Sequence, residues 1–235
     1  GCPRHSACNA EQRTMTGWWV HDLWNAGRGG ELVSWIFWVI ASITLHELAH
    51  GWVAIWEGDD TPKRMGRMTA NPVVHMGVPS LVVFLIIGIA WGLMPVNPYK
   101  FRHGKWGRIF VAAAGPAMNL LLAFLTLTAY GWIMSTEGKI EAPEILMIFL
   151  FTGGYLNILL AVFNLLPIPP LDGSVILSNL SPPVQRLYAH PQAGFIGLFF
   201  MLALFMSDLG SLLFGGIQTI AMLYAGIVYF ALGGA

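Results

Sequence analysis

Residues 32–56 read LVSWIFWVIASITLHELAHGWVAIW, and the meaning of this stretch decides the rest of the chain. As a helix it is long enough to cross about 30 Å of hydrocarbon. Between Glu31 and Glu57 its only formal charge is Glu47. A lone carboxylate at bilayer depth is costly, which makes it a candidate for function rather than packing. Glu47 belongs to His46-Glu47-Leu48-Ala49-His50, an H-E-x-x-H pattern.

On a helix, positions i and i+4 share a face with Cβ atoms roughly 6 Å apart. His46 and His50 can therefore each give a ring nitrogen to a single Zn²⁺. Glu47, offset by one position, can accept a proton from water acidified by the metal and pass one to a leaving amine. The pattern is a metal-hydrolase site that lacks one ligand. Two competing readings are a metal site used for transport or sensing and a structural cluster without chemistry.

The surrounding composition agrees with a membrane setting. Of 235 residues, 56% are hydrophobic and 10% charged, well outside soluble proportions. The chain reads as an all-α polytopic membrane protein with little room for a soluble domain. Its net charge is zero and no basic cluster points to a nucleic-acid partner. Cys2 and Cys8 sit outside any zinc-type cysteine spacing and read as non-catalytic. Residues 1–30 form a polar tail ending in an interfacial aromatic anchor of Trp18, Trp19 and Trp24. They lack a signal-peptide profile, and the start at Gly1 suggests a processed, trimmed or partial chain.

Residues 31–235 make up the membrane domain. Five apolar stretches can span the bilayer: 32–56, 109–134, 145–166, about 187–207 and 211–233. A sixth, about 78–96, is shorter and interrupted by Pro79, Gly88, Gly92 and Pro95. The expectation is five to six transmembrane helices, with a re-entrant, partly extended segment at about 76–98. The connection 57–75 carries Lys63, Arg64 and Arg67, and 97–108 carries Lys100, Arg102, Lys105 and Arg108. The connection 135–144 has only Lys139 against Glu137, Glu141 and Glu144. The positive-inside rule puts the first two in the cytoplasm and the third outside. Both ends of 78–96 then lie on one side, so the segment enters and returns, covered by protein or lining a polar cavity.

After Glu144 the next charge is Asp172, reached through Asn164-Leu165-Leu166-Pro167-Ile168-Pro169-Pro170-Leu171-Asp172-Gly173. A catalytic zinc takes three protein ligands, and Asp172 is a candidate for the third. It could equally cap a helix starting near Ser174.

Three motifs in order now resemble the site-2 protease family of intramembrane zinc metalloproteases, over about residues 32–180. They are His46-Glu47-x-x-His50, Gly115-Pro116-x-x-Asn119, and Asn164-Leu165-Leu166-Pro167 running into Leu171-Asp172-Gly173. Asn71-Pro72-x-x-His75 and Pro95-Val96-Asn97-Pro98 are similar to stretches of its compact bacterial and archaeal branch, which has no PDZ or CBS domain. The resemblance implies one Zn²⁺ per chain held by His46, His50 and Asp172, with Glu47 as general base. It also implies that Asn164 lies near the metal, holding substrate backbone or the oxyanion. Asn119 and Asn157 match family asparagines and read as packing or site-lining residues.

The implied partners are the lipid bilayer and a transmembrane protein substrate, cut in or near its membrane segment. The resemblance further implies that the dipping segment grips the substrate as an added strand. The implied location is the inner membrane of a prokaryotic cell. His46 and Asp172 can share a metal only if 109–134 is the sole crossing between them, so ligand geometry also demands re-entry. Glu47 lies about nine residues before the helix end, ~14 Å at 1.5 Å per residue, towards the cytoplasmic side. The chain departs from the branch at Met94, where a lysine commonly precedes the Pro-Val pair.

Several other features read as structural. His75 shapes the site entrance, contacts substrate or is a hydrogen-bonded structural residue. His5, His21, His103 and His190 read as loop or interfacial residues. Ala112-Ala113-Ala114-Gly115 reads as a close-packing surface, with a kink expected at Pro116. Ser207-Asp208-Leu209-Gly210 reads as a tight turn between the last two spans.

Overall fold

The computed structural model describes residues 19–136 and 141–234. Cys2, Cys8, His5 and Trp18 lie outside the described residues, as do Glu137 and Lys139. Every element among the described residues is helical. A short helix α1 (Trp19–Asn25) leads into α2 (Gly29–Trp56), which carries H-E-x-x-H. Next come α3 (Thr61–Arg64) and α4 (Pro72–Ile87), then α5 (Lys105–Ser135) and α6 (Glu144–Asn164). The chain closes with α7 (Asp172–Leu180), α8 (Pro182–Tyr188), α9 (Ala193–Phe205) and α10 (Asp208–Ala231).

Four of these, α2, α5, α6 and α10, are long and apolar enough to cross a membrane. The bilayer offers no water to backbone polar groups, so continuous helices are the stable way across it. In α2, 61% of the most apolar window is buried inside the protein, against 17% in α10. The difference ranks them: α2 is the central helix, and α10 faces lipid with Leu223, Ile227 and Phe230 exposed. Helices α2, α5 and α6 pack on one another, and α10 leans on α5 and α6. Their shared core is built from Trp38, Ile43, Leu127, Leu156, Phe163 and Ile217.

The stretch 187–207, expected as one span, is broken. Helix α8 stops at Tyr188, α9 starts at Ala193, and the two meet at 91°. Pro191 lies in the break, and a proline disfavours helical geometry in the residue before it. The turn at Ser207 is as expected: its Oγ accepts the Gly210 N–H at 3.2 Å and caps α10. Helix α5 runs on through Pro116.

The 76–98 segment returns to the side it leaves. Helix α4 begins behind Asn71, whose side chain caps it through the Val73 N–H at 3.0 Å. It is kinked at Gly77, whose φ of 71° is non-helical, and ends after sixteen residues in all, too few to span. Beyond Gly88 the chain is extended to Asn97. Leu93 N–H donates to the His75 carbonyl at 3.0 Å, so the outgoing and returning limbs lie side by side. Asn97 N–H donates to Asp59 Oδ2 at 2.6 Å, bringing the segment back to the C-terminal end of α2.

That end is tied by two fully buried carboxylates. Asp59 also accepts from the Thr61 N–H at 3.0 Å and hydroxyl at 2.5 Å. Glu57 accepts from the His103 main chain at 3.2 Å and lies 2.9 Å from its Nδ1. His103 is thus a partner of a buried acid rather than a simple loop residue. Lys100 pairs with Asp60, whose carboxyl this ammonium holds below its ordinary range. The two basic connections, 57–75 and 97–108, therefore meet at one end of the bundle.

Candidate metal centre

His46 and His50 are one turn apart on α2, both buried, with Nε2 atoms 2.9 Å from each other. Asp172 opens α7, placed by the proline-rich turn after α6. It does not cap its own helix: the cap position is Leu171 and no side chain closes it. Its Oδ2 instead lies 3.2 Å from His46 Nε2 and 3.4 Å from His50 Nε2. Helix α5 comes this close because residue 115 is glycine. A Cβ there would stand 2.4 Å from His50 Nε2 and 2.5 Å from His46 Nε2.

Hydrogen bonding fixes which nitrogen of each ring carries the proton. The Gly153 carbonyl can only accept, so Asn157 Nδ2 donates to it, at 2.8 Å. Asn157 Oδ1 then accepts from Asn119 Nδ2 at 2.9 Å, which turns Asn119 Oδ1 towards His46 Nδ1 at 2.6 Å. His46 must therefore hold its proton on Nδ1. His50 Nδ1 lies 2.6 Å from the Val111 carbonyl, with the same result. In the neutral rings both Nε2 atoms are then lone pairs turned towards Asp172, whose Oδ2 is buried and has no donor but these two nitrogens among the described residues.

Three acceptor atoms within 2.9–3.4 Å of one another repel unless a proton or a metal cation sits among them, and the spacing suits a metal. Ligands about 2.0–2.1 Å from a tetrahedral zinc stand about 3.3–3.4 Å apart. The trio is close to one face of that tetrahedron, and its N,N,O donor set suits zinc. These three residues also form the one candidate metal cluster among the described residues.

Glu47 is buried beside the trio, under the extended segment. Gly92 passes directly over it: a Cβ there would lie 2.6 Å from Glu47 Oε1. Asn164 takes a different course. Its Nδ2 donates back to the Leu160 carbonyl at 2.9 Å rather than towards the trio. The sequence reading brought together His46, Glu47, His50 and Asp172; it treated Asn119 and Asn157 as packing or site-lining residues and expected Asn119 to bond across helices, without naming its partners. It saw Gly92 as a breaker and Gly115 as packing. The signal for Asn119 and Asn157 was their burial cost, since two uncapped amides in apolar helices need partners.

Residues 34–207 match peptidase family M50. Among curated proteins, the chain is 38% identical over 180 residues to YwhC of Bacillus subtilis, provisionally named a zinc metalloprotease. That alignment covers 74% of this chain and 80% of the relative. Rip2 of Mycobacterium tuberculosis, provisionally named likewise, is 31% identical over 176 residues, covering 72% of this chain and 64% of Rip2. A Synechocystis relative, sll0528, is 33% identical over 142 residues, 60% of this chain but 30% of its own length. The chain thus spans four fifths of the first relative and just under two thirds of the second. No solved structure matches it at comparable significance.

Proposed function

The chain belongs to peptidase family M50 and is a zinc metalloprotease embedded in a membrane; from that premise we propose that it cleaves a peptide bond in or near a transmembrane segment of a protein substrate. The observation that carries the reading is the convergence of three bare ligand atoms beside Glu47, within a membrane-spanning helix bundle. His46, His50 and Asp172 would hold the metal. Bound zinc supplies Lewis acidity towards the scissile carbonyl and towards water. Glu47 is placed to take a proton from an attacking water and deliver it to the leaving nitrogen.

The substrate lies extended along residues 91–97. Trp91 N–H and carbonyl both bond to Ser80 Oγ, at 2.9 and 2.8 Å, and Leu93 N–H bonds to His75. Successive main-chain groups of an extended segment point to opposite edges, so those of Gly92 and Met94 are left for an added strand. A helical substrate must unwind locally to fit. Asn164 holds a substrate carbonyl once its amide leaves Leu160. The basic connections 57–75 and 97–108 orient the site towards the cytoplasmic side of a prokaryotic inner membrane. Cleavage there is the release step of regulated intramembrane proteolysis.

The Glu47→Gln variant tests this. It keeps all three ligands, so zinc content should match wild type while cleavage of a reporter transmembrane substrate falls about 10²–10⁴-fold. Wild-type cleavage by that variant would sink the mechanism.

A further inference from the structure

Of the three candidate ligands, Asp172 is the one whose place α2 does not dictate. His46 and His50 follow from the pitch of that helix, whereas Asp172 opens α7 at the end of the proline-rich turn 165–171. The main chain of this turn is tied to itself. Ile168 N–H donates to the Leu166 carbonyl at 2.8 Å, Leu171 N–H to the Ile168 carbonyl at 2.9 Å, and Ser174 N–H to the Leu171 carbonyl at 3.0 Å. A unit bonded in this way moves as one piece, so whatever holds part of it bears on Asp172. One side is pressed onto the end of α6 through Gly173. A Cβ there would lie 2.2 Å from the Leu165 carbonyl oxygen and 2.4 Å from that of Leu166.

The other side meets α9. Gly197 is the one buried residue of that helix, and this turn is what covers it. A Cβ at position 197 would stand 1.8 Å from the Pro169 carbonyl oxygen and 3.1 Å from Ile168 Cγ2. Carbon and oxygen ordinarily approach to about 3.3 Å, so only glycine lets helix and turn come this close. At the end of α8, the Tyr188 hydroxyl donates to the Pro167 carbonyl and ties the same turn a second time. Elsewhere α9 exposes Phe195, Phe199 and Phe200. Its attachment rests on the turn and, at its far end, on Phe205, stacked on Phe163 with ring centroids 4.5 Å apart.

Resting on Asp172 as a metal ligand in the function proposed above, we propose that Gly197 and Tyr188 are positioning residues for the metal site. Helices α8 and α9 clamp the 165–171 turn against the end of α6 and so hold the Asp172 carboxylate at its distance from His46 and His50. The clamp acts on the one ligand that α2 does not carry.

Two glycines of the same region separate this from a packing role. Gly197→Ala and Gly210→Ala each drive a methyl into a main-chain carbonyl, that of Pro169 at 1.8 Å and that of Leu204 at 2.2 Å. The nearest atoms at Gly210 belong to Leu204 and Phe205, outside the turn that carries Asp172. With the full chain in proteoliposomes, both variants should melt lower when metal-free. Only Gly197→Ala should weaken zinc binding, by about 10–100-fold in competition with a chelator, the loss expected when a ligand's support is removed. The visible spectrum of the Co²⁺-loaded chain, which reports ligand geometry, should change in Gly197→Ala and not in Gly210→Ala. Gly194→Ala, whose methyl meets open space on the same helix, should leave melting and zinc affinity as in wild type.

Tyr188→Phe guards against a glycine variant that fails to fold. It deletes one hydrogen bond and leaves the ring, so it should melt as wild type does and bind zinc several-fold more weakly. Wild-type zinc affinity in either Gly197→Ala or Tyr188→Phe, or an equal loss in Gly210→Ala, would overturn the proposal. Wild-type zinc affinity in Asp172→Ala would instead remove the ligand on which it rests.

Discussion

The two walls flanking Glu47 are built on opposite principles. On the α5–α6 side, the amides behind His46 are bonded in one direction, from Gly153 through Asn157 and Asn119 to the ring. On the α4 side, the extended segment is bonded along one edge, and its other edge is the one proposed for an added strand. Permanent satisfaction suits a group that must not move, because each bond in a buried chain restricts the next. Open valence suits a group whose partner arrives later. The contrast separates the wall that carries the candidate metal ligands from the wall proposed to receive the peptide, with Glu47 between them.

The comparison breaks most completely at the residue both walls depend on. Asp172→Ala removes the single anionic ligand and leaves two bare nitrogens 2.9 Å apart. Zinc content should collapse and cleavage drop to background; full zinc occupancy with activity would show that another residue ligates. The receiving wall should respond differently. In Gly92→Val the new Cβ meets Glu47 Oε1 at 2.6 Å and Ile43 Cγ2 at 2.8 Å, so the extended segment must lift by most of an ångström. A misplacement of that size costs about hundredfold in rate. Zinc content, read by metal analysis, should be unchanged. Loss of zinc in this variant would mean the two walls are not separable.

Much of the metal side was legible in the sequence because it rests on local spacing and on the scarcity of charge. His46 and His50 follow from the helical period, and Asp172 stands out as the first charge after Glu144. Re-entry was legible because breakers, length and the positions of basic residues agreed. The link from Asn119 to Asn157 was not, since it depends on the register in which α5 meets α6. The split of 187–207 was marked by His190-Pro191-Gln192, but a short polar interruption with one proline is also compatible with a continuous span. Asn164 is a different case: its motif was visible, but the bond its amide makes to the Leu160 carbonyl was not.

The smallest expected effect probes the bonded wall at its far end. Asn157→Leu leaves Asn119 Nδ2 without an acceptor in a fully buried place, which costs about 1–3 kcal/mol of stability. Asn119 can relieve part of this by turning its amide over. That presents an N–H to His46 Nδ1 and drives the ring proton to Nε2, the atom that must stay bare to bind metal. Loss of such an outer partner weakens metal affinity by about 10–100-fold. Competition with a chelator should reveal the loss, whereas cleavage at saturating zinc should fall only severalfold. Adding Asn119→Asp should restore affinity, because a carboxylate can only accept from His46 and no longer depends on residue 157 for its orientation. Failure of that rescue would mean Asn157 acts through helix packing alone, and the directed chain would not be what keeps this wall rigid.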